Sequence, residues 1–190
     1  MSLTAAELAE LKRWIKTARP LKGIYYRSVE YRFMNPDEVL NGRGAEIYGG
    51  RFANVGTKAV YLAESDATAS NEVLARKKRL GGQSQITIDK YPRVVFEVDV
   101  NLQRALSWLR RPRSITLATV RRACLDENDL APSKELGEVL RKASIQGLRF
   151  PSVAGKGRNL IVYCANCDAG GLNLRNADQL KKKIAELSKG

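Results

Sequence analysis

The chain has 190 residues, 33 of them lysine or arginine and 20 aspartate or glutamate, so its formal net charge is +13. A field of this sign attracts phosphates, acidic proteins or nucleic acid without choosing among them. The sequence contains no histidine, which excludes Ser-His-Asp and Cys-His mechanisms and restricts any catalysis to carboxylate, tyrosine, serine, arginine or lysine side chains.

The N-terminal segment predicts an amphipathic helix over residues 4–17. Thr4 followed three residues later by Glu7 is a capping-box pattern, and the apolar residues after it recur at helical spacing. The segment lacks the continuous apolar stretch of a signal peptide, and no part of the chain has the roughly 18 apolar residues of a membrane span. We therefore expect a cytoplasmic protein with no membrane association.

The next hundred residues predict alternating strands and helices. A β-rich segment follows Gly23, Asn35-Pro36 predicts a turn that could continue as a short helix through Leu40, and the glycines of residues 42–50 indicate a loop. Residues 59–64 predict a strand, with Ser65 as the N-cap of a helix over residues 66–79. Alternating apolar residues at 86–88 and 94–100 predict two further strands or one strand interrupted at Pro92.

The second half gives a clear pattern only after residue 130. Ser133 is the expected N-cap of a helix that extends to Lys142, followed by strands at 147–153 and 159–165 and a final helix over residues 176–188. Strands and helices are interspersed without a regular βαβ repeat. This order favours an α+β fold over a doubly wound sheet, in one domain that spans residues 1–190.

Two familiar kinds of site are excluded by their spacing. The glycines of residues 42–47 and 154–157 match neither a Rossmann nor a P-loop fingerprint. Cys164 and Cys167 form one CxxC pair, but tetrahedral zinc needs four ligands, and only Cys124 remains in a chain without histidine. We expect no metal site, and we interpret the cysteines as reduced packing residues.

Arg51, Tyr61 and Glu72 are each unremarkable alone: a loop arginine, a strand tyrosine and a helix glutamate. Taken in order with Ser152, they resemble the RES domain, the toxin of bacterial toxin–antitoxin pairs. The resemblance covers residues 23 to about 165 and rests on these fragments: YYR (25–27), GGRFANVG (49–56), VYLAES (60–65), Glu72 and FPSVAGKGRNLIVY (150–163). The helices at 4–17 and 176–188 would be extensions of this core.

The resemblance implies a fold like that of ADP-ribosyltransferases, with a mixed or antiparallel split sheet and flanking helices. It also implies that NAD is a substrate and that no cofactor is needed. Arg51 and Arg27 would bind the pyrophosphate, because a guanidinium suits paired phosphate oxygens. Tyr61 would pack on the nicotinamide or its ribose.

The resemblance assigns the bond-breaking chemistry to the later residues. Glu72 would hydrogen-bond the nicotinamide ribose and stabilise the cationic sugar as the glycosidic bond breaks, while Ser152 would orient that ribose. Family members often have Trp-Asn after the GGR arginine, where this chain has Phe52-Ala53-Asn54. Asn54 is therefore a candidate NAD contact whose role this difference leaves open.

Three functions remain open at this point. The first is an NAD-consuming toxin that acts as a glycohydrolase or phosphorylase and is neutralised by a cognate antitoxin of the helix-turn-helix type. The second is a mono-ADP-ribosyltransferase with a protein or nucleic acid acceptor. The third is a non-catalytic basic nucleic-acid-binding module, which the lack of aromatic residues among the basic runs disfavours.

Overall fold

The computed structural model describes residues 3–79, 93–125, 129–175 and 177–187. Within these ranges the helices are α1 (Ala5–Ile15), α2 (Arg43–Tyr48), α3 (Asp66–Arg79), α4 (Ala118–Leu125), α5 (Ala131–Lys142) and α6 (Ala177–Leu187). The strands are β1 (Arg19–Glu30), β2 (Ala59–Ala63), β3 (Arg93–Ser107), β4 (Gly147–Pro151), β5 (Arg158–Tyr163) and β6 (Leu172–Leu174). The α+β class with a mixed sheet and flanking helices is confirmed.

The six strands form one sheet that closes into a barrel, so the expected split sheet is wrong. Neighbours follow the order β1-β2-β5-β4-β3-β6, and β3 returns to pair with β1. Closure depends on the length of β3, whose 15 residues pair antiparallel with β1 along one edge. The other edge of β3 pairs with β6 at residues 98–100 and, in parallel, with β4 at residues 105–107.

Side-chain alternation along the strands divides the core in two. One cluster is enclosed by the barrel strands, and its fully buried members are Val60, Val98, Leu102, Leu160 and Val162. The other lies between the outer face of the sheet and the helices, and it includes Leu11, Phe52, Leu136, Leu140, Ile161 and Tyr163, all 0% exposed. The site described below lies on the outer face of the sheet where β2 and β5 pair.

Helix α1 is held in place by two of its own carboxylates, those of Glu7 and Glu10. The predicted capping box is present: Glu7 N donates to Thr4 Oγ1 at 3.2 Å, and Thr4 N donates to Glu7 Oε2 at 3.1 Å. Glu7 Oε1 also accepts from Thr119 N at 2.6 Å, while Glu10 accepts from the backbone of Thr116 at 2.7 Å and of Leu117 at 3.0 Å. These bonds fix α1 on the segment that precedes α4.

The helix predicted at residues 66–79 is confirmed as α3, and Ser65 Oγ caps it by accepting from Thr68 N at 3.1 Å. The loop predicted at 42–50 is wrong, because those residues contain α2. Gly42 and Gly49 bound this helix with positive φ angles of 75° and 66°. Six residues between glycines are too few to show a helical period, which is why the pattern predicted a loop.

Other boundaries differ as well. Residues 36–40 form the predicted turn without a helix, β3 continues to Ser107 through a stretch that gave no pattern, and Ser133 is buried in the first turn of α5 instead of capping it. The strand predicted at 86–88 lies outside the described residues. Among the helices described, none is long and apolar enough to cross a membrane.

Candidate functional site

Glu72 of α3 is the centre of a hydrogen-bonded cluster. Its Oε1 accepts from Ser152 Oγ and from Asn159 Nδ2, both at 2.6 Å. The donors lie 80 and 87 residues further along the chain, so the fold brings distant side chains to one carboxylate. Neither donor uses Oε2, which leaves that oxygen to a ligand.

The hydroxyl of Ser152 has a defined orientation. Ser152 begins the loop between β4 and β5, and its backbone N donates to Gly157 O at 3.0 Å, which closes the loop. Ser152 Oγ accepts from Ala154 N at 3.1 Å. Because that bond occupies the acceptor side of the hydroxyl, its proton is directed to Glu72.

The β4–β5 loop approaches α3 at a glycine. Gly157 has φ +131°, and a Cβ there would lie 3.1 Å from Thr68 Cγ2. A side chain at this position would push the loop from the first turn of α3. Gly157 therefore permits the contact that lets Ser152 reach Glu72 from the neighbouring loop.

Asn159 is a site residue that sequence reasoning missed. It lies at the start of β5, is 8% exposed, and pairs with Ala63 of β2 and Phe150 of β4. The only signal in the sequence is an amide that begins an otherwise apolar strand. A buried amide needs hydrogen-bond partners, and that requirement would have marked Asn159 for inspection.

The GGR motif is built against Tyr61. A Cβ on Gly50 would lie 2.7 Å from Tyr61 Cζ, so the ring packs directly on the glycine backbone. The Tyr61 hydroxyl accepts from Phe52 N at 3.0 Å. This close contact explains why a small residue precedes Arg51 and why a tyrosine stands ten residues after it.

Phe52 anchors the backbone beside Arg51. Its ring is 0% exposed and lies edge-on to Phe150 with centroids 4.7 Å apart, and its carbonyl accepts from the Tyr163 hydroxyl at 3.3 Å. The aromatic residue after the GGR arginine thus serves as a core anchor. Arg51 itself is half-buried, whereas Asn54 is exposed in the following turn.

Strand register places Tyr61 and Asn159 on one face of the sheet. Tyr61 pairs with Ile161 and Ala63 with Asn159, and directly paired residues of antiparallel strands share a face. Helix α3, which carries Glu72, packs against β1 and β2. Strand β2 therefore supports both Tyr61 and the Glu72 cluster.

Arg27 lies on the opposite face. It pairs with Phe96, which lies two residues before Val98 and therefore on the same, interior face of β3, and its Nη1 donates to Tyr61 O at 3.0 Å. Burial, with a contribution from Arg93, lowers the pKa of Arg27 to about 10, so the guanidinium stays charged at neutral pH. Its buried Nε finds no acceptor among the residues described.

The comparisons with known proteins bear on this geometry. The sequence model of the RES domain matches residues 24–181. This chain belongs to the RES domain family. The predicted recognition is thereby confirmed, and the matched residues include all six candidate positions named from the sequence.

The RES domain described here also resembles a solved structure, titled the crystal structure of the M. tuberculosis MbcT–MbcA toxin–antitoxin complex. The TM-score is 0.75 with 20% sequence identity, and the alignment covers 92% of each chain. At this identity the likeness shows a shared fold. No curated protein sequence matches the chain significantly.

The arrangement in this RES domain suits charge stabilisation more than proton transfer. It offers a carboxylate held by two donors, a tyrosine ring on a rigid support and arginines on either side of the sheet. Within the described ranges, no group of three or more cysteine, aspartate or glutamate residues could hold a metal ion.

Proposed function

We propose that this RES domain is the toxin of a toxin–antitoxin pair and that it consumes NAD by cleaving the bond between nicotinamide and ribose. The observation that carries the proposal is the Glu72 carboxylate held at 2.6 Å by both Ser152 and Asn159. Family membership and the fold shared with a protein from a toxin–antitoxin complex support it.

The proposed reaction passes through a cationic sugar. As nicotinamide leaves, positive charge develops on the ribose, and a carboxylate fixed beside it stabilises that charge without reorganising. Ser152 and Asn159 keep Glu72 in one position, and Oε2 faces the ribose hydroxyls. Water or phosphate then attacks the same carbon, which makes the chain a glycohydrolase or phosphorylase; no histidine is required.

The remaining site residues bind the dinucleotide in this proposal. Arg51 holds the pyrophosphate, Tyr61 packs on the nicotinamide or its ribose, and Asn54 contacts NAD from the exposed turn. The pyrophosphate contact expected of Arg27 does not fit this arrangement, because Arg27 faces the other side of the sheet, where its Nη1 donates to Tyr61 O and supports β2. NAD is a substrate here, and no further cofactor is invoked. Because the chain belongs to the RES family, we also propose that its fold is of the ADP-ribosyltransferase-like group.

A cognate antitoxin of the helix-turn-helix type is the proposed protein partner. A domain with a net charge of +13 attracts an acidic surface, so charge complementarity supports a protein antitoxin.

Expression in a bacterial host tests the toxin proposal. Induction of the wild-type chain should stop growth and lower cellular NAD, whereas Glu72→Gln at equal expression should do neither. Growth arrest without NAD loss would contradict NAD consumption as the cause. If labelled NAD instead marks a protein or nucleic acid while free ADP-ribose stays scarce, the chain is a transferase with a macromolecular acceptor.

A further inference from the structure

A cleft separate from the Glu72 cluster lies between α1, the start of β1 and the end of β3. Its volume is about 420 Å³, within the roughly 300–1,000 Å³ of small-molecule sites. None of the residues assigned to NAD lines it. NAD binding at the Glu72 cluster therefore does not account for this cleft.

Three arginines from three different elements line this cleft: Arg19 from β1, Arg110 from the turn after β3, and Arg149 from β4. The lining residues all lie in the described part of the chain, and none is acidic. Arg19 and Arg110 are exposed and make no ion pair there. Three like charges around one cleft repel one another, and an anion relieves that repulsion.

Arg149 is the fixed member of the set. Its side chain is 14% exposed, its Nε donates to Ser107 Oγ at 3.4 Å, and its Nη1 bonds Glu64 at 3.2 Å. Glu64 Oε1 also lies 3.4 Å from Arg158 Nη1, so this one carboxylate forms ion pairs with two guanidinium groups. The cleft keeps an excess of positive charge even after this ion pair is counted.

The remaining wall is apolar because α1 turns its acidic side chains elsewhere. Glu7 and Glu10 are engaged by residues 116–119, and Trp14, which is only 1% exposed, closes the base of the cleft from the core. Leu21 and Pro112 extend this wall. An apolar wall opposite three arginines fits a ligand with a flat apolar body and a compact anionic group.

The cleft also depends on residues outside the family match. That match begins at residue 24, whereas Trp14, Arg19 and Leu21 precede it. The N-terminal extension thus completes a cleft that the matched domain does not build alone.

We propose that this cleft binds a small phosphorylated ligand with an aromatic ring, of nucleoside monophosphate size. Arg19, Arg110 and Arg149 hold the phosphate, whose oxygens suit guanidinium forks. Pro20, Leu21 and Pro112 hold the ring. This site is independent of the proposed NAD chemistry.

Intrinsic tryptophan fluorescence provides a local readout. The sequence has two tryptophans, and Trp14 lines the cleft with Trp108 edge-on to it at 5.5 Å between centroids. The full-length protein is titrated with AMP, adenosine and inorganic phosphate. AMP should bind at least about tenfold more tightly than either of the other two, because only AMP has both the phosphate and the ring.

Two substitutions and two controls locate the binding. Arg19→Gln and Arg110→Gln should each weaken AMP binding by about tenfold, since each removes charge-assisted hydrogen bonds. Arg113→Gln, an exposed arginine of the same segment that does not line the cleft, should leave it unchanged, as should Arg51→Ala at the NAD site. The proposal is overturned if AMP does not bind at millimolar concentration, if adenosine binds as well as AMP, or if both cleft variants bind like the wild type.

Discussion

At the scale of single residues, the carboxylate of Glu72 carries the chemistry. In Glu72→Gln the amide oxygen can still accept from Ser152 and Asn159, so the fold should persist while the charge is lost. We expect the turnover number for NAD to fall by about 10²–10³-fold, as for the removal of one electrostatic stabiliser. Glu38→Gln, a neutralised exposed glutamate away from the cluster, is the matched control and should keep wild-type kinetics.

Arg51 should act on binding more than on bond cleavage. Arg51→Ala removes a guanidinium from the pyrophosphate and should raise the Michaelis constant for NAD by about tenfold or more, with a smaller loss of turnover. Glu72→Gln should instead lower the turnover number more than it raises the Michaelis constant. Steady-state kinetics of both variants give the answer, and equal effects on both constants would refute this separation of roles.

How far the sequence predicted these residues depends on the kind of signal each one gives. Glu72 and Ser152 were proposed together from a family pattern, and the structure places them 2.6 Å apart. Asn159 was missed because a lone amide in an apolar strand has no spacing to indicate its partner. The sequence also could not show that Arg27 and Tyr61 lie on opposite faces of the sheet, because this depends on which strands pair and in which register.

At the scale of elements, the GGR turn depends on the packing of Tyr61 against Gly50. Gly50→Ala places a Cβ 2.7 Å from Tyr61 Cζ, and we expect a loss of about 1–3 kcal/mol in the free energy of unfolding. Gly44→Ala in α2 has no atom within 4 Å of the added Cβ. This control should be neutral or stabilising by up to about 1 kcal/mol. Denaturant unfolding measures both, and equal destabilisation would contradict the packing argument.

The docking of α1 should depend on pH. Burial opposes the ionisation of Glu7, but hydrogen bonds from Thr4 and Thr119 outweigh burial, so the pKa of Glu7 is lowered. The pKa of Glu10 is also lowered, mainly by the hydrogen bond from the backbone of Leu117 and further by that from Thr116. A carboxyl group with a lowered pKa in the folded state stabilises that state above its ordinary pKa and loses the contribution as the pH falls through the lowered value.

Thermal unfolding of wild type and Glu10→Gln across pH tests this docking. The variant should be less stable than the wild type at neutral pH, and the difference should shrink as the pH falls below the ordinary glutamate value of 4.5. A difference that stays constant down to strongly acidic pH would show that the charge of Glu10 does not hold α1.

At the scale of the whole molecule, the sequence predicted the class and most of the elements but not the closure of the sheet. The period of residues 94–100 indicated a strand, yet nothing local showed that it continues to Ser107 and pairs along both edges. Pairing between distant strands is a long-range property that alternation does not encode. The split sheet was therefore an expectation that only the three-dimensional pairing could correct.

The proposed cleavage of NAD is a property of the whole molecule, because Arg51, Tyr61, Glu72 and Ser152 must act on one dinucleotide. The most direct measurement is the release of free nicotinamide from NAD by the purified wild-type protein, in water and with phosphate added. We predict that nicotinamide appears as NAD disappears, with ADP-ribose or its phosphorylated form as the second product, and that Glu72→Gln abolishes nearly all of it. Intact NAD after long incubation with a high concentration of folded protein would contradict the account.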